Sequence, residues 1–443
     1  MTDRHSPRDV GFATRQVHSG AEWADAASRT VPIYLTAGFR FEDFDHAAGH
    51  FGTGAGFGYT RTGNPTIDAL ERRIAALEEG AGAVFLGSGQ AAVSVTLLAL
   101  LSAGDHIVSS HHIYEGTRGL LLDLLDRFDI SVDFVDDIAS PDAWRAATRE
   151  NTRLYFAESI ANARNDLLDV AAIAAVADER ALPLVVDNTF ATPYLLRPLA
   201  HGAAIVVHSA SKFLAGHGAA LGGVIVDDGR FDAARAGALF PHLVATSRSG
   251  APSVWERHGG SARLAHIRES VAPRLGPTPS PLNAFLVSQG IDTLHLRVRE
   301  QSANALRIAR WLEERDEVSS VDYIGLPSHP HHDLGERLLT KGYGSVFTFT
   351  LAGGQPAARA FVEAVEVVTH MTHLGDVRTL VLHPATTSHA QHTDQARLAL
   401  GVQPGTLRLS IGIEDPDDLI ADLGHALRAA ASVAESRVVE VLP

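Results

Sequence analysis

Short apolar segments alternate with longer helical stretches through the middle of the chain. Ala83–Leu86, Leu184–Val186 and Ile205–Val207 are apolar runs of the length that buried strands have, whereas Ala91–Leu101 and Val170–Arg180 have helical composition. Strands that alternate with helices are typical of a mostly parallel sheet covered by helices on both faces. The pattern therefore predicts an α/β fold for this part of the chain.

Further strands and helices continue the alternation up to about residue 227, and after Pro281 the order of elements changes. Further strands are predicted at Asp105–Ser109, Ile130–Val135, Leu154–Phe156 and Val224–Val226, and further helices at Ile67–Glu79, Leu120–Arg127 and Ala143–Arg149. From Pro281 the order becomes mixed, beginning with a long amphipathic helix at Leu294–Glu314. The later elements are strands at Ser345–Leu351 and Leu407–Ile411 and helices at Pro356–Ala364 and Leu419–Ala431. The mixture predicts a smaller α+β domain at the C-terminal end.

The first part of the chain has little periodicity. Val31–Thr36 is predicted as a short strand, and glycines punctuate the approach to the segment Tyr59–Thr66. An arm of this length without a core of its own is expected to lie on something else, and a neighbouring subunit is the natural partner. The chain is therefore predicted to have an N-terminal arm over residues 1–65, a large domain over 66–280 and a C-terminal domain over 281–443.

The composition is that of an ordinary soluble globular protein, with 45% hydrophobic and 20% charged residues among 443. The net charge of −15 argues against nucleic acid or an anionic membrane surface as the main partner. The chain has no cysteine, which excludes disulfides, thiolate metal sites and a cysteine nucleophile and favours a reducing compartment. Neither a secretory signal pattern nor a membrane-spanning apolar stretch is recognised, so a cytoplasmic location is expected.

Several chemically capable residues follow the predicted strands. These residues are Gly89, Tyr114, Glu158, Asp187 and Lys212. Ligands of open α/β sheets bind at the carboxyl ends of the strands, so the common placement predicts one shared site.

Lys212 comes directly after an apolar strand and two serines, Ser209 and Ser211, and before a glycine-rich loop. Burial among small residues shifts an ammonium group towards the neutral, nucleophilic amine, as a Schiff-base lysine requires. The two hydroxyl groups are suited to hold a phosphate. The alternative is an ordinary surface lysine, which is what most lysines are.

The segment G-S-G-Q-A-A (Gly87–Ala92) joins a predicted strand to a predicted helix. Backbone N–H groups at a helix N-terminus bind anions well, so this turn is suited to a phosphate. The segment also matches the dinucleotide fingerprint, but that fingerprint requires an acidic residue at the end of the next strand, where Ser109-Ser110-His111 stands. A purely structural tight turn is the other alternative.

Asp187 ends an apolar strand, where a carboxylate is costly to bury without a partner. A protonated pyridine nitrogen is such a partner, and its proton makes the ring an electron sink. The alternative is an aspartate that caps the following turn. Tyr114 is able to stack on a flat ring, or it belongs to the core. A Schiff-base lysine, a strand-end aspartate and a phosphate cup are together what pyridoxal phosphate requires.

A family resemblance supports this combination. The matching segments include Y-T-R-T-G-N-P-T (59–66), G-S-G-Q-A-A (87–92), E-S-I-A-N (158–162), V-V-D-N-T-F (185–190), S-A-S-K-F-L-A-G-H-G (209–218) and L-R-L-S-I-G-I-E (407–414). In these segments the chain resembles the Cys/Met-metabolism family of pyridoxal-phosphate enzymes, and within it the O-acetylhomoserine sulfhydrylases. The resemblance extends over nearly the whole chain. It implies fold type I, the aspartate-aminotransferase-like fold.

The resemblance implies a role for each matching residue. Lys212 is expected to bind the cofactor and to move protons, Asp187 to pair with the pyridine nitrogen, and Tyr114 to stack on the ring. The other implied cofactor contacts are Asn162 at the ring hydroxyl, and Gly89, Gln90, Ser209 and Ser211 at the phosphate, with Tyr59 and Arg61 from a neighbouring subunit. The implied substrate contacts are Arg408 at the α-carboxylate, Thr379 beside it, and Tyr59.

The implied activity is that of a transferase of the O-acetylhomoserine aminocarboxypropyltransferase type in methionine biosynthesis. Acetate on the γ-carbon of O-acetyl-L-homoserine is replaced by sulfide or a thiol, giving homocysteine or methionine. The implied assembly is a homotetramer built from dimers that share active sites. Alternatives are a methionine or cystathionine γ-lyase, a cystathionine γ-synthase-type enzyme, and γ-replacement with a non-sulfide nucleophile.

Two departures from the family pattern leave the nucleophile and the acyl group of the substrate open. Glu115 adds negative charge beside Tyr114, and Ser247–Gly260 lacks the expected pattern in a region predicted to lie near the substrate entrance. A histidine group is a third feature to weigh. His329, His331 and His332 look like a metal cluster, but the resemblance places them in a loop, so no metal is expected.

Overall fold

The computed structural model describes residues 10–20, 28–53, 56–162, 164–247 and 250–441. In the arm it places two helices, α1 (Phe12–His18) and α2 (Phe44–Thr53). The strand predicted at Val31–Thr36 is wrong, because this segment pairs with no strand among the described residues. Its backbone bonds instead to a side chain at the start of the helix that begins at Pro65: the N–H of Tyr34 donates to Thr66 Oγ1 at 2.9 Å.

The arm carries large apolar side chains on its surface. Leu35, Phe44 and Phe51 are 72%, 86% and 82% exposed. Isolated exposed apolar residues are common in proteins, but several large ones on one coreless segment are typical of an interface.

A seven-stranded sheet forms the centre of the molecule, and its strands alternate with helices. The elements are α3 (Pro65–Glu78), β1 (Gly82–Leu86), α4 (Gly89–Leu100), β2 (His106–Ser110), α5 (Glu115–Gly119), β3 (Ser131–Val135), α6 (Pro141–Ala147), β4 (Thr152–Glu158), α7 (Val170–Asp178), β5 (Leu184–Asp187), α8 (Thr192–Leu195), β6 (Ile205–Ser209) and β7 (Gly223–Asp227). The predicted helix at Leu120–Arg127 is present as a π-helical turn, Leu120–Leu125, followed by a 3₁₀ turn, Asp126–Phe128.

The strand order is β1-β7-β6-β5-β4-β2-β3, and only β7 runs antiparallel to its neighbours. Val185 and Val207 lie in the core on one face of the sheet, whereas Val186 and Val206 lie in the core on the other face. The central strands are apolar on both sides because helices cover both faces. The predicted mostly parallel α/β sheet is confirmed.

Short helices connect the two parts of the structure. They are α9 (Ala233–Ala236), α10 (Pro241–Val244), α11 (Val254–His258), α12 (Ala262–His266) and α13 (Ala272–Leu275), and the longer α14 (Pro281–Ile291) follows. Helix α14 packs on the core of the large sheet through Val287 and Ile291, although it lies beyond residue 280. The domain boundaries at 65 and 280 stay a prediction.

The C-terminal part holds a second sheet of five strands. Its elements are α15 (Leu294–Glu313), β8 (Val318–Asp322), α16 (His332–Leu338), β9 (Val346–Leu351), α17 (Gly354–Ala364), β10 (Thr369–His370), β11 (Leu380–Leu382), α18 (Asp394–Ala399), β12 (Thr406–Ser410) and α19 (Pro416–Val441). The order is β10-β11-β12-β9-β8, antiparallel except for the β10–β11 pair. Among the described residues, no helix is long and apolar enough to cross a membrane.

Gly223 permits a close approach between β7 and the turn before α4. A Cβ atom at Gly223 would lie 1.9 Å from the carbonyl oxygen of Ser88. We expect Gly223→Ala to lower the free energy of unfolding by about 1–3 kcal/mol, because neither backbone segment is able to give way. Thermal unfolding checks this, with Gly49→Ala in α2 as the control, since a Cβ there meets no atom of another described part of the chain within 4 Å. Equal losses in both variants would contradict the close approach.

Candidate active site

A cavity of about 800 Å³ opens at the carboxyl ends of β4, β5 and β6. It is bordered on the other side by the segment around Met371–Leu374 and by β12. The cavity brings together the residues that the sequence predicted for one chain's cofactor and substrate carboxylate. These residues are Gly89, Gln90, Tyr114, Asn162, Asp187, Ser209, Ser211, Lys212 and Arg408. The predicted shared site for Gly89, Tyr114, Glu158, Asp187 and Lys212 corresponds to this one space, and Arg408 reaches it from within β12.

The N-terminus of α4 forms one end of the cavity. Ser88 caps this helix by accepting a hydrogen bond from the N–H of Ala91 at 3.1 Å, which leaves the N–H groups of Gly89 and Gln90 without partners inside the helix. A Cβ at Gly89 would lie 2.6 Å from the Cβ of Ser209, so only glycine allows the helix to come this close. Backbone donors and a hydroxyl thus meet where an anion would bind.

The two serines before Lys212 differ in their bonding. Ser211 accepts a hydrogen bond from the N–H of Gly222 at 3.0 Å, and its hydroxyl lies 3.3 Å from the carbonyl oxygen of Gly222. The N–H of Ser209 donates to Thr189 Oγ1 at 2.8 Å. The side chain of Gln90 donates to the carbonyl of Gly116 at 3.1 Å, so its backbone N–H is the group suited to an anion.

Asp187 lies at the end of β5 with one carboxylate oxygen engaged. Oδ1 accepts hydrogen bonds from the N–H of Thr189 at 3.0 Å and from its hydroxyl at 2.5 Å. Burial raises the pKa of Asp187, and the two bonds from Thr189 counteract that rise. Both bonds fall on Oδ1, so Oδ2 is the oxygen suited to a cationic partner such as a protonated ring nitrogen.

Glu158 pairs with Asp187 in the register of β4 and β5. Its Oε1 accepts a hydrogen bond from the N–H of Tyr114 at 2.5 Å, and its Oε2 accepts one from the N–H of Asn162 at 2.9 Å. Burial and the neighbouring Asp187 raise the pKa of Glu158 to about 8. One carboxyl group thus fixes the backbones of two proposed cofactor residues. The sequence offered the signal, a carboxylate after an apolar strand, but no role for it.

Tyr114 presents its ring to the cavity and is 51% exposed. A Cβ at Gly116 would lie 2.4 Å from the Cε1 of Tyr114, so this glycine leaves room for the ring. A half-exposed aromatic ring on a cavity wall is more consistent with stacking on a flat ligand than with the core alternative.

Lys212 and Arg408 are the cations of the cavity. Burial, and to a smaller extent the charge of Arg408, lower the pKa of Lys212 to about 8. Arg408 is buried, and it donates hydrogen bonds to neutral oxygens: Asn162 Oδ1 at 3.3 Å and the carbonyls of Thr372 and His373 at 3.4 and 3.3 Å. A buried guanidinium with neutral partners is suited to receive a carboxylate.

Thr379, predicted to bind substrate, is not brought to the cavity. It is fully buried, its N–H donates to Glu414 Oε1 at 2.6 Å, and its hydroxyl donates to Glu414 Oε2 at 2.8 Å. Its position just before β11 turns the side chain towards the 412–414 turn, whose Gly412 N–H donates to it at 2.9 Å. Thr379 therefore supports the structure behind Arg408 instead of lining the cavity.

Tyr59 and Arg61 do not line the cavity of their own chain. Tyr59 is half-exposed, and the centre of its ring lies 5.4 Å from the guanidinium of Arg61. Arg61 also donates a hydrogen bond to the carbonyl of Pro273 at 2.7 Å. Both side chains are on the surface. That they contact the cofactor phosphate in a neighbouring subunit stays a prediction.

The position of Ser247–Gly260 near the substrate entrance stays a prediction. Its described residues do not line the cavity of their own chain, and α11 within it begins with a capping box between Ser253 and Glu256. Arg248 and Ser249 lie outside the described residues. Glu115, by contrast, lines the cavity, and its Oε1 lies 2.8 Å from Nε2 of His392.

The histidine group of the C-terminal part has other partners. Nε2 of His329 lies 3.3 Å from the carbonyl of Arg164, His331 lies 3.6 Å from Asp166, and Nδ1 of His332 lies 2.8 Å from the carbonyl of Ile324. In the part of the chain that the structure describes, no group of three or more histidine, cysteine, aspartate or glutamate side chains is placed to hold a metal ion.

Comparison with known proteins identifies the family. The model of the Cys/Met metabolism PLP-dependent enzymes matches residues 13–428. The chain belongs to this family. Its relatives include the O-acetyl-L-homoserine sulfhydrylase of Corynebacterium glutamicum, 42% identical over 95% of this chain and 98% of the relative, and the homocysteine synthase of Schizosaccharomyces pombe, 41% identical with the same coverage.

Solved structures of other Cys/Met metabolism PLP-dependent enzymes share the fold. A structure assigned to an O-acetylhomoserine (thiol)-lyase of Campylobacter jejuni superposes with a TM-score of 0.90 at 31% identity, and covers 95% of this chain and 100% of that one. It carries a pyridoxyl-lysine phosphate at its position 205. The predicted fold type I and the predicted dependence on pyridoxal phosphate are confirmed.

The residues of the cavity fit this cofactor. The anion site that Gly89 permits at the N-terminus of α4, the open Oδ2 of Asp187 and the amine of Lys212 lie around one space. Each matches one part of pyridoxal phosphate: the phosphate, the ring nitrogen and the aldehyde carbon.

Proposed function

We propose that this enzyme replaces the acetate on the γ-carbon of O-acetyl-L-homoserine with sulfide or a thiol. The products are homocysteine or methionine, and acetate. The observation that carries the proposal is the arrangement of Lys212, Asp187 and Arg408 around one cavity. The choice of substrate is supported by relatives named O-acetyl-L-homoserine sulfhydrylase and homocysteine synthase, which are about 40% identical to this chain over nearly its full length.

The cofactor, when bound, supplies an electron sink for negative charge at the substrate α-carbon. Asp187 holds the proton on the ring nitrogen through its free Oδ2, and Tyr114 and Asn162 hold the ring, with their backbones tied to Glu158. The N-terminus of α4, with Ser209 and Ser211, binds the phosphate. These roles are proposals for this chain.

Lys212 has two tasks in this proposal. Its amine binds the cofactor covalently, and when released it carries protons at the substrate α- and β-carbons. A pKa of about 8, lowered by burial and by Arg408, leaves a useful fraction of the amine neutral near neutral pH. Arg408 binds the α-carboxylate and so places the α-carbon within reach of the amine.

Arg408 supplies a prediction of its own. We expect Arg408→Leu to lower kcat/KM by about 10²–10³-fold, because a buried, hydrogen-bonded charge pair with the carboxylate is lost. Arg408→Lys is expected to recover only part of the loss, because an ammonium group has no fork for both carboxylate oxygens. Steady-state kinetics over a range of O-acetylhomoserine concentrations measure both. Arg359→Leu is the control, since this exposed residue of α17 pairs with Glu363 and does not line the cavity. Normal kinetics for Arg408→Leu would place the carboxylate elsewhere.

The proposed assembly is a homotetramer of dimers, in which Tyr59 and Arg61 reach the neighbouring subunit's phosphate site. The exposed apolar side chains Leu35, Phe44 and Phe51 of the arm support a partner surface there. The domain boundaries and the cytoplasmic location inferred from the sequence also remain proposals.

A substrate matrix tests the proposed reaction. O-acetylhomoserine, O-succinylhomoserine, O-acetylserine and methionine are each supplied with sulfide, with methanethiol and with no acceptor. Homocysteine formed only from O-acetylhomoserine and sulfide supports the proposal. Equal use of O-succinylhomoserine contradicts it. The absence of product with both sulfide and methanethiol contradicts it as well.

A γ-lyase is the second candidate, because the cystathionine γ-lyase of Lactobacillus plantarum shares the fold, with a TM-score of 0.81 at 31% identity. A lyase releases ammonia and a keto acid from its substrate without any acceptor. The substrate matrix separates the lyase from the γ-replacing enzyme, because in the reactions without an acceptor only a lyase forms a keto acid.

A further inference from the structure

A histidine that no sequence motif indicated lies against the proposed catalytic lysine. Nδ1 of His373 is 3.1 Å from Nζ of Lys212, and both residues line the cavity. We propose that His373 is a positioning residue, which holds the free amine of Lys212 by accepting a hydrogen bond from it. This proposal rests on the proposed function in one respect: that function makes Lys212 the catalytic lysine.

The backbone around His373 is fixed to the segment that carries Lys212. The carbonyl of His373 accepts a hydrogen bond from Arg408 at 3.3 Å, and the N–H of Val377 donates to the carbonyl of Gly216 at 2.9 Å. Between them, Gly375 has a φ of +73°, and a Cβ there would lie 2.8 Å from the backbone N of Phe213. The two segments are therefore in backbone contact, and the imidazole does not depend on a flexible loop for its place.

Burial, together with nearby positive charges, keeps the ring of His373 neutral. Burial opposes its protonation most strongly, Lys212, Arg408 and Arg378 oppose it further, and Asp376 favours it. Together they lower the pKa of His373 to about 4. A neutral imidazole has one acceptor nitrogen, and an ammonium group donates only, so Nδ1 accepts and Nε2 carries the proton. Nε2 is buried and has no partner among the described residues.

The amine of a lysine at the end of four methylene groups is mobile unless something holds it. In the proposed reaction the amine of Lys212 must return to one place each time it is released from the cofactor. Arg408 repels it and lowers its pKa. The acceptor at Nδ1 of His373 opposes that repulsion, because a hydrogen bond to the charged form stabilises it.

Competitive labelling of the full-length apoprotein with acetic anhydride over a range of pH tests the proposal. Lys212 and Lys341 are the only lysines of the chain, so peptide mass spectrometry reads Lys212 with Lys341 as an internal reference. His373→Leu removes the acceptor, and His373→Asn keeps an acceptor near the place of Nδ1. His373→Gln places its polar atoms near Nε2 instead. His370→Leu, on the exposed strand β10, is the matched control.

We expect the labelling midpoint of Lys212 to fall by about one pH unit in His373→Leu and in His373→Gln, because the ammonium form loses an acceptor. His373→Asn and His370→Leu are expected to keep the wild-type midpoint. Equal midpoints in all variants, or equal shifts in the Asn and Leu variants, would mean that His373 only fills space. Should the Leu variant fold poorly, the comparison of Asn with Gln decides by itself.

The test does not depend on the proposed reaction. Labelling reads the amine in the absence of cofactor and substrate, whereas the substrate matrix reads turnover. A shifted midpoint together with a negative matrix would keep the Lys212–His373 pair and reject the γ-replacement.

Discussion

Replacing Lys212 with alanine is expected to leave a protein that binds pyridoxal phosphate but neither fixes it covalently nor turns over substrate. The anion site at the N-terminus of α4 and the carboxylate of Asp187 do not involve the lysine side chain. Binding therefore persists. Turnover is expected to fall by at least about 10³-fold, because the nucleophile and the proton carrier are lost together.

Borohydride reduction followed by mass spectrometry measures the covalent bond, and the substrate matrix measures turnover. Lys341→Arg is the matched control, because Lys341 is the only other lysine and lies outside the cavity, where its Nζ donates to the carbonyl of Tyr194 at 3.2 Å. Reduction is expected to attach the cofactor to Lys341→Arg as it does to the wild type. A reduced adduct on Lys212→Ala would show that the amine of the site comes from elsewhere.

The fold was predictable because its signals are local. Apolar strands such as β5 and β6 are buried on both faces, so they read as continuous apolar runs, and the helices between them have their own composition. Parallel strands end at one edge of a sheet, so the sequence alone was enough to predict that Asp187 and Lys212 lie in one site. The strand at Val31–Thr36 was wrong because pairing depends on a neighbour that a local pattern does not reveal.

The parts of the site that escaped prediction depend on long-range contacts. His373 lies 161 positions from Lys212 in the sequence. Glu158 was predicted to lie in the site, but its role was not, because it acts through backbone N–H groups, which carry no residue-type signal. The position of Thr379 outside the lining of the cavity was not predicted for a related reason. Its place in a family motif does not fix the side that its hydroxyl faces, and the structure turns it to Glu414.

Replacing Asp187 with asparagine is expected to lower kcat by about 10²–10³-fold while the fold stays intact, since a preorganised charge is removed without loss of shape. The amide oxygen is able to accept the two hydrogen bonds that Thr189 makes to Oδ1. The amide nitrogen, however, offers a donor where Oδ2 offered a negative charge. The ring nitrogen then loses the partner that keeps it protonated, and with it the electron sink.

Although Asp187→Asn is expected to lower kcat, it is not expected to lower the stability of the folded protein. Because burial raises the pKa of Asp187 in the folded apoprotein, the folded state loses stability as pH rises above the unfolded value of about 3.9. The neutral asparagine escapes this loss, so the Asp187→Asn apoprotein is expected to melt at the same temperature or higher at neutral pH. Thermal unfolding across acidic and neutral pH measures the difference.

The control for both measurements is Asp169→Asn, where the carboxylate lies outside the cavity and caps α7 by accepting from the N–H of Ala172 at 3.1 Å. Asparagine caps helices about as well as aspartate, so this variant should keep both its turnover and its melting temperature. A variant at Asp187 that melted lower and turned over normally would reverse both expectations. Asp187 would then be a structural cap, the alternative that its sequence position left open.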